Sequence, residues 1–114
     1  MAWAHNTTVP DFSQYLGQAA HGVPGVRYLD LNGAFTGREI CADGISHSQE
    51  WVNGLVIDAS EILNGLGENL VQQSFHPNAA GHVEMGGCLT EFVASSVPTG
   101  HCARGGDGNL HLTT

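Results

Sequence analysis

The chain has 114 residues, and its three arginines and eleven carboxylates, without any lysine, give a formal net charge of −8 when histidine is neutral. Such a surface repels phosphate groups, which argues against nucleic acids and anionic membrane faces as partners. A hydrophobic content of 41% is ordinary for a soluble globular chain. We therefore predict a single domain, residues 1–114, with no transmembrane helix, because no long apolar run is present. We also expect no signal peptide in this chain, because its start, MAWAH, lacks a basic and an apolar segment.

The first third of the sequence predicts one helix followed by one strand. Pro10 and Asp11 are typical of a helix start, and Gly22 and Pro24 of its end. The apolar side chains of this helix share one face, which we expect to be buried: Phe12, Tyr15, Leu16, Ala19 and Ala20. Residues 26–31 are rich in β-formers and predict a buried parallel strand. A helix that leads into such a strand is half of a crossover unit, so the fold class is α/β.

The rest of the chain predicts one long loop and one more helix. Glycines and polar residues dominate residues 36–73, with a short amphipathic turn at 59–66. A second helix is predicted over residues 77–96, with one apolar stripe of Met85, Cys88, Leu89, Phe92 and Val93. A single apolar parallel strand needs neighbours on both edges. We expect a missing N-terminal portion, another chain or a second copy of this chain to provide them.

His76 is the first candidate catalytic residue. Pro77 pushes the preceding residue out of the α region and suits the first helical position, so His76 is predicted to cap the second helix. The partial positive charge of a helix N-terminus disfavours imidazolium, and a neutral imidazole can act as a general base. The alternative is structural: a histidine before a proline can fill a turn and bond a nearby carbonyl.

Residues 74–82, SFHPNAAGH, resemble the last conserved block of the SGNH, or GDSL-type, ester hydrolases, in which this histidine is the catalytic base. Three further stretches are similar to parts of that family: 26–31 to the final core strand, 35–41 to the loop after it, and 51–55 to a tryptophan-containing turn. The tail, residues 100–112, is similar to secreted actinobacterial phospholipases of the family.

This resemblance implies the C-terminal portion of a three-layer, flavodoxin-like α/β fold with few strands and two main helices. It also implies a secreted protein that hydrolyses carboxylic esters, either small molecules or lipids, by a Ser-His mechanism and without a cofactor.

The chain departs from the family at the nucleophile and at the acid. No Gly-Asp-Ser block, oxyanion glycine or Gly-x-Asn-Asp block is present in these residues. Ser46 has the spacing of a nucleophile block, but isoleucine replaces its aspartate, and the other serines lack a nucleophile elbow: Ser13, Ser60, Ser74, Ser95 and Ser96. Gln73 occupies the position of the ring-orienting aspartate, where its amide, or the carbonyl of Gln72 or Gln73, could orient His76 without supplying charge.

The cysteines and histidines leave further alternatives open. The resemblance implies a disulfide between Cys41 and Cys88 and assigns no partner to Cys102. The alternative is that Cys88 is a buried free thiol. We predict no metal site, because His76 and His82 would point to different faces of a helix and His47 lies apart. Two functions remain: an SGNH-type ester hydrolase represented by its histidine block, and a non-catalytic remnant or interaction module that self-associates or pairs with a missing N-terminal half.

Overall fold

The computed structural model describes residues 4–54 and 75–114. The chain divides into two compact units, which are described separately: unit 1 comprises residues 1–34 and 85–114, and unit 2 comprises residues 35–84. Two α-helices and a three-stranded mixed sheet make up the regular structure of the described residues. The α/β class is therefore confirmed, while the predictions of a three-layer SGNH-like arrangement and of a single domain stay predictions.

Two α-helices appear where the sequence predicts them. Helix α1 spans Val9–His21 after a short π-helical segment, Ala4–Thr8, and Gly22 ends it by donating its N–H to the carbonyl of Ala20. Helix α2 spans Ala79–Ala94, so it is shorter at both ends than the predicted 77–96. In the predicted loop, the described residues form one short 3-10 helix, His47–Gln49, and the predicted turn at 59–66 lies outside the described residues.

The sheet joins the predicted strand to the tail of the chain. Strand β1, Tyr28–Asp30, lies parallel to β2, Thr99–Arg104, which pairs antiparallel with β3, Leu110–Thr113. The order is β1-β2-β3, so β1 has a strand partner on one edge only within the described part of the chain. The turn between β2 and β3 depends on Gly108, whose φ of 90° is in the region that favours glycine.

The orientation of α1 differs from the prediction. Its partly buried positions are Pro10, Ser13, Gly17 and Ala20, whereas most of the predicted core face is exposed: Phe12 at 64%, Tyr15 at 69% and Leu16 at 45%. The reason is a polar anchor. The Tyr28 hydroxyl donates to the Ser13 carbonyl at 2.8 Å, and a Cβ on Gly17 would lie only 3.1 Å from the Tyr28 ring. A glycine and a serine therefore bring the helix onto β1.

A disulfide lies at the centre of the small core of unit 1. Cys88 on α2 and Cys102 on β2 are both fully buried and bonded to each other, with their Cα atoms 6.1 Å apart. The expected Cys41–Cys88 pairing is therefore wrong, and Cys41 is an exposed free thiol. The physical reason is the unpredicted strand β2, because it places the sulfur of Cys102 beside the inward side of α2.

The predicted apolar stripe of α2 is correct only in part. Cys88 and Phe92 are buried, and Phe92 packs close to β2, where a Cβ on Gly100 would lie 3.1 Å from its ring. Leu89 and Val93, which were predicted on the same stripe, are 50% and 66% exposed.

Arg27 holds the C-terminal end of α2. Its guanidinium donates to the carbonyls of Phe92, Ser95 and Val97, and its Cζ lies 4.1 Å from the centroid of the Phe92 ring. Phe92 lies in the last turn of α2, and Ser95 and Val97 follow the end of the helix at Ala94. A cation at this position bonds carbonyls at and just beyond the helix end and interacts favourably with the helix dipole.

A second electrostatic contact ties β3 to α2. His111 Nδ1 lies 2.8 Å from Glu91 Oε1, and its Nε2 lies 3.0 Å from Asp107 Oδ2. Glu91 also accepts the backbone N–H of Leu112 at 2.7 Å. The hydrogen bonds to Asp107 and Glu91 raise the pKa of His111 to about 9. The pKa of Glu91 is lowered by the Leu112 N–H and by His111, and that of Asp107 by His111.

Candidate functional sites

The backbone around His76 forms a paired corner in unit 2. The Asn53 N–H donates to the His76 carbonyl at 2.8 Å, and the Phe75 N–H donates to the Asn53 carbonyl at 3.0 Å. The Asn78 N–H donates to the carbonyl of Trp51 at 2.9 Å. We call residues 51–53 and 75–78 the His76 corner. It brings together the tryptophan-containing turn and the histidine block, the two stretches of unit 2 that the sequence singles out most clearly.

Asn78, and not His76, caps helix α2. The side-chain oxygen of Asn78 accepts the N–H of Gly81 at 3.0 Å, which is the bond that an N-cap residue makes to the third helical position. Its amide nitrogen also donates to the Glu50 carbonyl at 2.7 Å. The prediction that His76 is the cap was wrong, because the short side chain of Asn78 reaches a free N–H group of the first turn. Pro77 forms a β-bridge with Val52 and lies before the helix, which begins at Ala79.

The His76 corner is packed against the loop that precedes it. Trp51 is only 6% exposed, and its ring meets the Phe35 ring edge-on with the ring centroids 5.8 Å apart. The backbone N–H of Trp51 donates to the Arg38 carbonyl at 2.8 Å. A Cβ on Gly81 would lie 2.3 Å from the Trp51 carbonyl oxygen, so only glycine permits this approach of the helix. These contacts fix the backbone that carries His76.

The side chain of His76 is exposed, as a base that meets a substrate or a nucleophile must be. Within residues 4–54 and 75–114 its imidazole has no hydrogen-bond partner. Gln73, the predicted ring-orienting residue, lies outside the described residues together with Gln72. The general-base role of His76 and the orienting role of Gln73 therefore stay predictions.

Ser46 has a structural environment. Its hydroxyl lies 2.9 Å from Ser48 Oγ and 3.1 Å from Gln49 Oε1 at the start of the 3-10 helix. The neighbouring His47 bonds Glu50 instead, at 2.9 Å. Glu50 is buried and accepts the Cys41 N–H, and that bond together with His47 lowers the pKa of Glu50. No imidazole of the described residues contacts the hydroxyl of Ser46, as activation of a nucleophile would require.

A cleft in unit 1 is the second candidate site. It has a volume of about 590 Å³ and lies between α1 and the sheet. We call it the α1 cleft. Its lining is drawn from α1, all three strands and the chain end: Ser13, Gln14, Gly17, Gln18, His21, Tyr28, Asp30, Thr99, Gly100, His101, Thr113 and Thr114.

One polar network lines the α1 cleft. Ser13 Oγ donates to Asp30 Oδ1 at 2.5 Å and lies 2.8 Å from the hydroxyl of Tyr28. The other carboxylate oxygen of Asp30 lies 3.7 Å from His101 Nδ1. The strand register explains this last approach, because Asp30 and His101 are direct partners across β1 and β2.

The serine, aspartate and histidine of this network do not form a hydrolytic triad. In a triad the imidazole stands between the hydroxyl and the carboxylate, so that it can take the hydroxyl proton. Here the carboxylate of Asp30 stands between Ser13 and His101. The hydroxyl of Ser13 is therefore held by a carboxylate and lacks the imidazole that would activate it.

Sequence reasoning missed this network because its members are far apart in the chain. Ser13 lies on α1, Asp30 lies on the strand that follows this helix, and His101 comes 71 positions after Asp30. The one available signal was the Asp107-Gly108 turn between two short alternating segments, which is typical of a hairpin and would have predicted β2 and β3.

None of the described helices is long and apolar enough to cross a membrane. Comparisons of the chain with protein-family models, with curated proteins and with solved structures found no match.

Proposed function

We propose that this chain is the C-terminal portion of an SGNH-type hydrolase of carboxylic esters, in which His76 is the general base. The nucleophilic serine and the oxyanion donors would come from a polypeptide segment outside these 114 residues. The observation that supports the proposal is the His76 corner, where an exposed histidine is held between a packed tryptophan turn and a helix start.

In this proposal His76 acts twice. The imidazole takes the proton of the serine hydroxyl as the oxygen attacks the ester carbonyl, and it then gives that proton to the leaving alkoxide. In the second half of the reaction it takes a proton from water as the water oxygen attacks the acyl-enzyme, and it returns that proton to the serine oxygen as the acid is released. An exposed imidazole carried on a hydrogen-bonded backbone suits both steps. Gln73 is proposed to orient the ring.

The exposed apolar surface of unit 1 supports the need for a covering segment. Phe12 and Tyr15 on α1 are 64% and 69% exposed, and such aromatic side chains contribute most when they are buried. In the described part of the chain, β1 also lacks a strand on its second edge. The same surface favours the second candidate function, a non-catalytic module that self-associates or pairs with another chain.

The disulfide between Cys88 and Cys102 is compatible with an extracellular protein, because structural disulfides persist in oxidising compartments. Secretion is part of the proposal on that ground and on the resemblance of the tail to secreted phospholipases.

Labelling with a fluorophosphonate, read by intact mass, tests the proposal. The chain would be expressed together with a segment that carries a Gly-Asp-Ser block from an SGNH hydrolase, and assembly would be confirmed by gel filtration. We expect one adduct on the supplied serine of the assembled pair, its loss in His76→Ala and its retention in His82→Ala, which changes an exposed histidine in the first turns of α2. Equal labelling of all three pairs would favour the non-catalytic module, as would an assembled pair that does not react.

A further inference from the structure

We propose that the α1 cleft binds a small ligand that carries a protonated amine beside an apolar body, with Asp30 as the counter-ion of the amine. This site goes beyond the ester hydrolysis proposed for His76 and does not depend on it. The inference combines the size of the cleft, the bonding of Asp30 and the charges of the lining.

The size of the cleft suits a small organic molecule. Ligand pockets measure roughly 300–1,000 Å³, and the α1 cleft, at about 590 Å³, lies within that range. Its walls come from the inward side of α1 and from strands of the same unit. A site built on a helix and a sheet holds its groups in fixed positions, which favours specific binding.

Asp30 is anchored through one oxygen and available through the other. Oδ1 accepts the hydroxyl of Ser13 at 2.5 Å and the N–H of Asn32 at 2.8 Å. Oδ2 has no hydrogen bond within the described residues, and His101 Nδ1, at 3.7 Å, is beyond hydrogen-bond distance. The Asp30 side chain is 29% exposed, so the carboxylate as a whole is partly withdrawn from water. A carboxylate forms its strongest hydrogen bonds with charged donors, so an ammonium group suits the available oxygen.

The charges of the lining select for a cation. No lysine or arginine is among the described residues that line the cleft, and the whole chain carries a formal charge of −8. An anionic ligand would meet the carboxylate of Asp30 without a fixed positive charge to offset it. An ammonium group would pair with Asp30, while the ring of Tyr28 and the stems of Gln14 and Gln18 offer apolar contact to the rest of the ligand.

Nuclear magnetic resonance titration of the intact, oxidised chain tests the site. The probe is protonated benzylamine at mildly alkaline pH, above the usual imidazole pKa of about 6.5, with benzyl alcohol and benzoate as neutral and anionic analogues of similar shape. We expect saturable shifts of the Gly17 and Gly100 amides, which lie in the lining, with benzylamine. Both analogues should bind at least about tenfold more weakly. Equal binding of benzoate or benzyl alcohol, or no saturable shift with benzylamine, would overturn the proposal.

Matched variants identify Asp30 as the counter-ion. Asp30→Asn keeps an oxygen that can accept from Ser13 and Asn32, so the fold should persist while affinity for benzylamine falls at least about tenfold. Asp43→Asn, which changes an exposed aspartate in unit 2, should leave affinity unchanged. Gln18→Trp adds bulk to the lining of the cleft while Asp30 stays in place, and it should also abolish the shifts. This variant tests binding in the cleft if Asp30→Asn disturbs the fold. Unchanged affinity in Gln18→Trp, or in a folded Asp30→Asn, would contradict the proposal.

Discussion

Removal of the Cys88–Cys102 disulfide should destabilise unit 1 by an amount that can be worked out from the chain. The two cysteines are separated by 14 residues, and closing a loop of about 15 residues is worth about 3 kcal/mol in the chain-entropy treatment. Both sulfurs are fully buried, so replacing them by alanine adds about 1 kcal/mol each, as loss of a buried methyl does. The Cys88→Ala/Cys102→Ala variant should therefore lose about 5 kcal/mol of unfolding free energy.

Urea unfolding followed by circular dichroism measures this loss, and Cys41→Ala is the control. Because Cys41 is exposed and unbonded, its replacement should change the unfolding free energy by less than about 0.5 kcal/mol. A glutamate-specific protease should release fragment 85–91 joined to 92–114, with fragment 40–50 as a free thiol. If fragment 40–50 were instead joined to 85–91, or if the double variant lost no more than Cys41→Ala, our reasoning about β2 would be refuted.

Three more predictions follow from single contacts. The hydrogen bonds of His111 raise its pKa from 6.5 in the unfolded chain to about 9 in the folded chain. Their contribution to the unfolding free energy is therefore complete between about pH 4.5 and 6.5 and is lost as pH rises through 9. The contribution also falls below about pH 4.5, where Glu91 and Asp107 take up protons. The unfolding free energy of His111→Gln should thus be flatter than that of the parent between pH 6.5 and 9, and parallel curves would contradict the assignment. Arg27→Ala should cost about 1–2 kcal/mol in urea unfolding, because the carbonyl of Phe92 in the last turn of α2 and those of Ser95 and Val97 just after the helix lose a donor. Arg104→Ala, on an exposed strand end, should cost less than about 0.5 kcal/mol. Gly81→Ala should lower the melting temperature, because the added Cβ would lie 2.3 Å from the backbone oxygen of Trp51. Gly86→Ala, in open space on the same helix, should raise the melting temperature. Equal effects at the two positions would argue against the packing of the His76 corner.

The elements with local signals were predictable from the sequence. Pro10 and Gly22 mark the limits of α1, and the apolar spacing around Cys88 and Phe92 marks the inward side of α2. The orientation of α1 was not predictable from its apolar stripe, because hydrogen bonds of Ser13 outweighed that pattern. A polar anchor of this kind depends on a partner in another element, which periodicity does not encode.

The tail and the α1 cleft show the limit of local reasoning more clearly. Gly100 interrupts the strand signal of β2, although this strand places Cys102 against α2 and His101 beside Asp30. Both contacts depend on the register between residues 28–30 and 99–101, which is a non-local property. The helix start after His76 was predicted two residues too early, because Asn78 and not His76 makes the cap.

The role of His76 as general base is tested most directly by the hydrolysis of p-nitrophenyl acetate. The enzyme in this assay is the assembled pair of this chain and a segment that carries a Gly-Asp-Ser block. We predict that His76→Ala lowers kcat/KM by about a thousandfold or more, as expected for removal of a general base in a serine hydrolase. His82→Ala should stay within about twofold of the parent. Equal kcat/KM values for the parent and His76→Ala, in pairs of equal assembly, would contradict the claim that His76 is the base.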